Sequence, residues 1–175
     1  MVADAQENEK RSFGGHIGTH FDVMDKEFPL EYVERQGIVF DVSRCLERDI
    51  SVKDIDLSMV EQEMFVAFFS GFIEKEGYGS KKYISEHPQL SNELIDALLY
   101  RHISMIGVDF AGIRRGSEHG LKDQYCADNG VFIIENLCNL NKILQGQPDR
   151  LFQANTYPVN FEGVTGLPCR VLAKV

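Results

Sequence analysis

The strongest constraint on this chain is a series of short apolar runs separated by helix and turn signals. Met64 to Phe69 (MFVAFF) is almost wholly apolar and six residues long, which suits a strand covered on both faces. Met105 to Phe110 (MIGVDF) and Val131 to Glu135 (VFIIE) are of the same kind. Ile38 to Val42, β-branched and aromatic between Gly37 and Ser43, also predicts a strand. Arg170 to Val175, after the Gly166-Leu167-Pro168 turn, predicts a closing strand. Helical signals lie between these runs. Ser91 is an N-cap residue ahead of a stripe of Leu94, Ile95, Leu98 and Leu99, and His119 to Asn129 reads as a helix stopped by Gly130. Leu140 to Leu144 predicts a third helix, ended by Gly146 and Pro148, and the glycine-rich, charged stretch Gly112 to Gly120 an exposed loop. Strands alternating with helices predict the α/β class. No repeat or linker divides the chain, so residues 13–175 are expected to form a single domain behind a loose arm, residues 1–12.

Composition narrows the function classes. The 175 residues carry 18 Lys plus Arg against 27 Asp plus Glu, a net charge of −9. A chain that tracks phosphates or an anionic membrane needs the opposite balance. No apolar run approaches the roughly 20 residues of a membrane span, and the polar start lacks a signal-peptide core. Cys45, Cys126, Cys138 and Cys169 are scattered, without a C-x-x-C pair. The expected address is the cytosol, with neither nucleic acid nor membrane as partner.

The segment Gly14 to Asp22, GGHIGTHFD, carries the clearest chemistry. Its glycines disfavour helix. In an extended segment His16, Gly18, His20 and Asp22 project to one side, and Gly18 permits a bend that draws the two imidazoles together. Two imidazoles and a carboxylate suit Zn²⁺, Mn²⁺ or Fe²⁺. Asp109 and Glu135 end apolar strands, where α/β sheets border their ligand crevices. Asp109 is equally well a cap, whereas Glu135, followed by Asn136 and not by a turn glycine, stays near a buried position. His87, before Pro88, and His102, at a helix end, read as structural.

Taken in order, these residues resemble the cyclase family of metal-dependent hydrolases, which includes bacterial kynurenine formamidase and isatin hydrolase. His16-Ile17-Gly18-Thr19-His20-Phe21-Asp22 matches its H-x-G-T-H-x-D motif. Ser70-Gly71-Phe72 stands where the family tends to have T-G-W, and His87-Pro88-Gln89-Leu90-Ser91 resembles its H-P-x-L-S. Ile106 to Asp109 matches I-G-I-D, Gly130 to Leu137 matches G-I-x-I-x-E-N-L, and Gly163 to Arg170 resembles G-x-x-G-x-P-x-R. The resemblance implies a mixed sheet of the swivelling β/β/α type flanked by helices. It implies one divalent ion, zinc or manganese, on His16, His20 and Asp22, and a second bridged by Asp22 and held by Glu135. It also implies hydrolysis of a small, often aromatic formamide or cyclic amide, in the style of an arylformamidase of tryptophan catabolism, by water activated at the ion. A homodimer or higher homo-oligomer is expected on the same ground.

Two positions depart from the family pattern. Met24 and Lys26 replace a proline and a histidine that serves as ligand or proton shuttle, and Asp123 replaces a histidine twelve residues before the glutamate. The family's opening strand of I-D-L-S type is expected to be missing or replaced ahead of His16. Asp123 remains a candidate ligand. Lys26, if an ion lowered its pKa, and His119 are the candidate catalytic acid/base groups, with Asp25 and Glu27 as alternatives. Phe21, Phe72 and Phe110 are candidate walls for an aromatic substrate. The changes at Lys26 and Asp123 also motivate another reading, a family member that binds metal and a small molecule without turnover.

Overall fold

A computed structural model describes residues 9–175. Residues 1–8, most of the expected arm, lie outside the described residues, and the chain enters through a short helix α1 (Glu9–Phe13). The elements follow as β1 (His20–Asp22), β2 (Glu34–Asp41), β3 (Phe65–Phe69), α2 (Phe72–Glu76), α3 (Lys81–Glu86), α4 (Asn92–Tyr100), β4 (Met105–Val108), α5 (His119–Asp128), β5 (Phe132–Glu135), α6 (Leu140–Leu144), β6 (Asp149–Pro158) and β7 (Gly166–Lys174). The strands close into a barrel in the order β1-β5-β4-β3-β2-β6-β7. The centre is parallel (β2·β3, β3·β4, β4·β5), and the remaining pairs are antiparallel. The class is α/β with a mixed sheet, as the alternation of runs predicts.

Side-chain alternation divides the core in two. Ile38, Phe40, Val66, Phe68, Ile106, Val108 and Ile133 point outward and pack with Leu94, Ile95 and Leu98 of α4. Their neighbours Val39, Phe65, Ala67, Met105, Phe132 and Ile134 join Phe21 of β1, Phe152 and Ala154 of β6, and Leu167 of β7. A cluster that draws on all seven strands is the filling of the barrel. It leaves no room beside the rings, since a Cβ on Gly107 would lie 2.5 Å from Phe65 and 2.6 Å from Leu137.

Local signals account for most boundaries. Ser91 Oγ accepts from the Leu94 amide and starts α4. Gly130 ends the α5 turn at φ +74. Between Gly112 and Gly120 the expected exposed loop is only partly exposed, because Ile113 is fully buried in the outer core. Among the described residues no helix is long and apolar enough to cross a membrane.

Candidate metal centre

The site forms on the outer face of the barrel, where β1 meets β5. In an antiparallel pair, residues directly opposite share a face. His20 pairs with Glu135 in register, so with Phe21 and Ile134 turned inward both polar side chains turn outward. Helix α5 packs there and presents His119 and Asp123, four residues apart on one face. His16 arrives from the bend before β1, where Gly18 takes φ +59 and brings the two imidazoles to a centroid separation of 5.0 Å. Gly112, at φ +106, makes room for His119, because a Cβ there would lie 2.5 Å from its ring.

These placements bring six donor residues into two groups that share Asp22. His16, His20 and Asp22 form the first and Asp22, His119, Asp123 and Glu135 the second, the atoms of each within 4.8 Å of one another. In the first, His16 Nδ1 lies 2.9 Å and His20 Nε2 3.6 Å from Asp22 Oδ1, and the two nitrogens are 3.2 Å apart. Donors about 2.0–2.1 Å from a tetrahedral ion are separated by roughly 3.3 Å. In the second, His119 Nε2 lies 3.2 Å from Asp123 Oδ2 and 3.3 Å from Glu135 Oε1.

The outer hydrogen bonds orient the rings. His20 Nδ1 is 2.9 Å from the Gly18 carbonyl and His16 Nε2 2.8 Å from Thr165 Oγ1. With the proton on those nitrogens, the opposite nitrogen of each ring presents a lone pair to the cluster. Asn136, at φ +58, accepts from the Tyr83 hydroxyl at 2.7 Å and donates to the Gly18 carbonyl at 3.0 Å, fixing the bend from behind.

The donor set fits a cation. Asp22 Oδ1 and Glu135 Oε1 are buried and face imidazole nitrogens of the cluster itself, and Asp22 Oδ2 and Asp123 Oδ1, equally buried, are without a hydrogen-bond partner. A buried polar atom left so is costly unless something unseen satisfies it. Burial pushes the Glu135 and Asp123 carboxyls up, Asp123 strongly, and the nearby Asp22 charge adds to both shifts. Burial also opposes the charged forms of His20 and Asp22. The mutual contact of His20 with Asp22 outweighs it, raising His20 to about 9 and, with His16, holding Asp22 well below the carboxylate range. Hydrogen bonding to Glu135 raises His119 to about 9 against the effect of burial. Without a metal the cluster must borrow protons to balance its carboxylates.

Lys26 is not brought to this cluster. Its ammonium pairs with Asp128 at 2.7 Å and Asp25 at 3.0 Å, and those partners raise its pKa where the sequence reading needs it lowered. Asp25 and Glu27 are absent from the cluster as well. Asp109 proves structural, its carboxylate accepting from the Ser70 amide, the Ser70 hydroxyl at 2.6 Å and the Gly71 amide at 2.6 Å, and so holding the turn that leads into α2. Phe21, Phe72 and Phe110 are core residues and do not line the cavity that opens beside the cluster. That cavity, about 430 Å³, is walled by Tyr78, Tyr83, Ile84 and Ala111. His87 lines it too, although its sequence context indicates only a turn. The unread signal was Tyr78, between α2 and α3, and Tyr83, within α3, which carry no motif.

A family model described as "Putative cyclase" matches residues 3–114. The chain belongs to this family. Solved structures agree in fold. "The Structure Of Potential Metal-Dependent Hydrolase With Cyclase Activity" superposes with a TM-score of 0.73 at 22% identity, covering 90% of this chain and 78% of that one. A predicted metal-dependent hydrolase from Bacillus stearothermophilus gives 0.70 at 23%, covering 90% and 76%. Isatin hydrolase A from Labrenzia aggregata, bound to benzyl benzoate, gives 0.73 at 18%, covering 89% and 72%. No curated protein matches the chain.

Proposed function

We propose that this cyclase-family protein is a metal-dependent amidohydrolase acting on a small formamide or cyclic amide. The observation that carries the reading is the set of four buried carboxylate oxygens, two unpartnered and two facing only imidazoles, beside three imidazoles at the edge of a cavity large enough for a single-ring substrate. His16, His20 and Asp22 would hold one divalent ion, zinc or manganese. Asp22, Asp123 and Glu135 would hold a second, with His119 beside them. Such an ion brings the pKa of bound water from 15.7 to about 7 and polarises a carbonyl.

The chain's own residues do the rest. Tyr78, Tyr83 and Ile84 exclude water from one side of the substrate. His119, with its side chain 35% exposed while those of Asp123 and Glu135 are sealed, is the acid/base group that meets the substrate. Its Nε2 holds a proton against Glu135 Oε1 and gives it to the departing nitrogen, which leaves as a neutral amine. Lys26, held in surface ion pairs, has no part in this scheme. Under the same reading the protein works in the cytosol on a small molecule and assembles as a homodimer or larger homo-oligomer. Isatin hydrolase-like and arylformamidase-like specificity are separated by offering metal-reconstituted protein isatin, N-formylkynurenine and simple aryl formamides. Turnover of at least one is expected. Failure on all three with metal bound supports the second reading, a metal- and ligand-binding family member without turnover, which the Lys26 position favours.

A further inference from the structure

Two groups line the same cavity and take no part in the donor cluster, His87 and Arg115. His87 is 1% exposed, and its ring stacks on Phe110 at 5.5 Å. Its Nδ1 lies 2.7 Å from the Pro88 carbonyl, a contact that requires the proton on that nitrogen. Nε2 therefore carries a lone pair, and it is buried with no hydrogen-bond partner. Burial, aided by the nearby Arg115 charge, lowers the His87 pKa to about 4, so the ring is a neutral acceptor at pH 7.

Arg115 is the complementary half. Its backbone amide donates to Gln89 Oε1 at 2.8 Å, and its guanidinium reaches only the Ser85 carbonyl, at 3.3 Å. The adjacent Arg114 is paired with both Asp49 and Glu118. Among the described residues Arg115 has no ion pair, although the chain has 27 acids against 18 Lys plus Arg. A guanidinium that lines a cavity with most of its donors unused matches a planar carboxylate.

We propose that Arg115 and His87 form a polar subsite for an acidic substrate, Arg115 pairing with its carboxylate and His87 Nε2 accepting from an N–H or O–H beside that carboxylate. The substrate role rests on the hydrolase reading above; the binding itself does not. The preferred amides would then be acids carrying a neighbouring donor, and neutral amides would be poor substrates.

The test is binding to the intact protein as purified, read by the fluorescence of 2-aminobenzoate, with benzoate and aniline as competitors. 2-Aminobenzoate, which carries both groups, is expected to bind more tightly than benzoate, and aniline most weakly. Arg115→Gln should weaken 2-aminobenzoate by about tenfold or more, as loss of a charge-assisted pair does. His87→Phe, which keeps the stack on Phe110, should remove the preference for 2-aminobenzoate over benzoate, and His87→Gln, which restores an acceptor, should recover part of it. Circular dichroism of each variant establishes that it is folded. Unchanged binding in folded Arg115→Gln, or equal affinity of the wild type for all three compounds, overturns the proposal. Because binding needs no turnover, a protein that shows these preferences yet hydrolyses no amide keeps the subsite and loses the hydrolase reading. One that hydrolyses neutral formanilide without them does the reverse.

Discussion

At the residue scale, the first donor group depends on side chains that each make one contact outward and one inward. His20 spends Nδ1 on the Gly18 carbonyl and turns Nε2 toward Asp22 and Glu135. His20→Ala should therefore lower bound metal sharply, measured by elemental analysis, while the circular dichroism spectrum stays close to wild type. Full occupancy in the variant would contradict the donor assignment. Lys26 is the converse case. Its ammonium is shared between two surface carboxylates, and exposed pairs of this kind contribute little. Lys26→Gln is expected to leave metal content and turnover within about twofold of wild type, since such surface changes act weakly. A large loss of turnover would return Lys26 to the reaction. His16-x-Gly18-x-His20-x-Asp22 was legible in the sequence because alternation in an extended chain is a local rule. His87 was not, because its unpartnered nitrogen is visible only once Phe110 and the cavity surround it.

At the scale of elements, the strands of the parallel centre were legible because buried strands are apolar on both faces. Gly37–Asp41 pairs with Phe65–Phe69, and Phe65–Phe68 with Met105–Val108. β6 went unread because its burial alternates and its residues mix Asp149, Arg150, Gln153 and Asn155 with Leu151, Phe152 and Ala154. It is a strand because β2 and β7 complete its hydrogen bonds on either side. The tightest packing inside the barrel is at β4. A methyl on Gly107 would strike Phe65 and Leu137, so Gly107→Ala should destabilise by about 1–3 kcal/mol in urea unfolding, the usual cost of overpacking. A neutral result would mean that the filling can shift. Helix α5 carries the departure at Asp123, and its geometry shows why the substitution is accommodated. His119 and Asp123 lie one turn apart on one face, so the helix reaches the cluster with both.

At the scale of the molecule, acid sensitivity follows from burial. His87 is held neutral down to about pH 4, whereas in the unfolded chain it takes a proton near 6.5. Between those values the unfolded state binds more protons, so stability falls as pH falls, and above 6.5 this contribution is complete. The maximum is about 3 kcal/mol at 1.36 kcal/mol per unit. Urea midpoints from pH 4 to 7 should show wild type losing stability relative to His87→Phe on acidification; parallel curves would mean that His87 is not protected. The proposed self-association is tested at the same scale. Tyr157, Phe161 and Leu172, on and beside β6 and β7, are half or more exposed. Exposed large apolar side chains of this kind, where they adjoin, mark contacts between chains. Sedimentation is expected to give a mass above 19.9 kDa that falls on dilution or on Leu172→Lys, whereas a monomer at all concentrations would refute the assembly.

The alternation of apolar runs, the N-cap at Ser91 and the H-x-G-T-H-x-D spacing are short-range, and the sequence alone determined the α/β class, most of the strands and the first donor group. Closure of the barrel, the opposition of His20 and Glu135, the approach of His119 to Glu135, and the exclusion of Lys26 depended on tertiary structure. Those outcomes turn on strand register and helix docking. They are set by which buried faces fit together across more than a hundred residues of chain, and no local pattern encodes them.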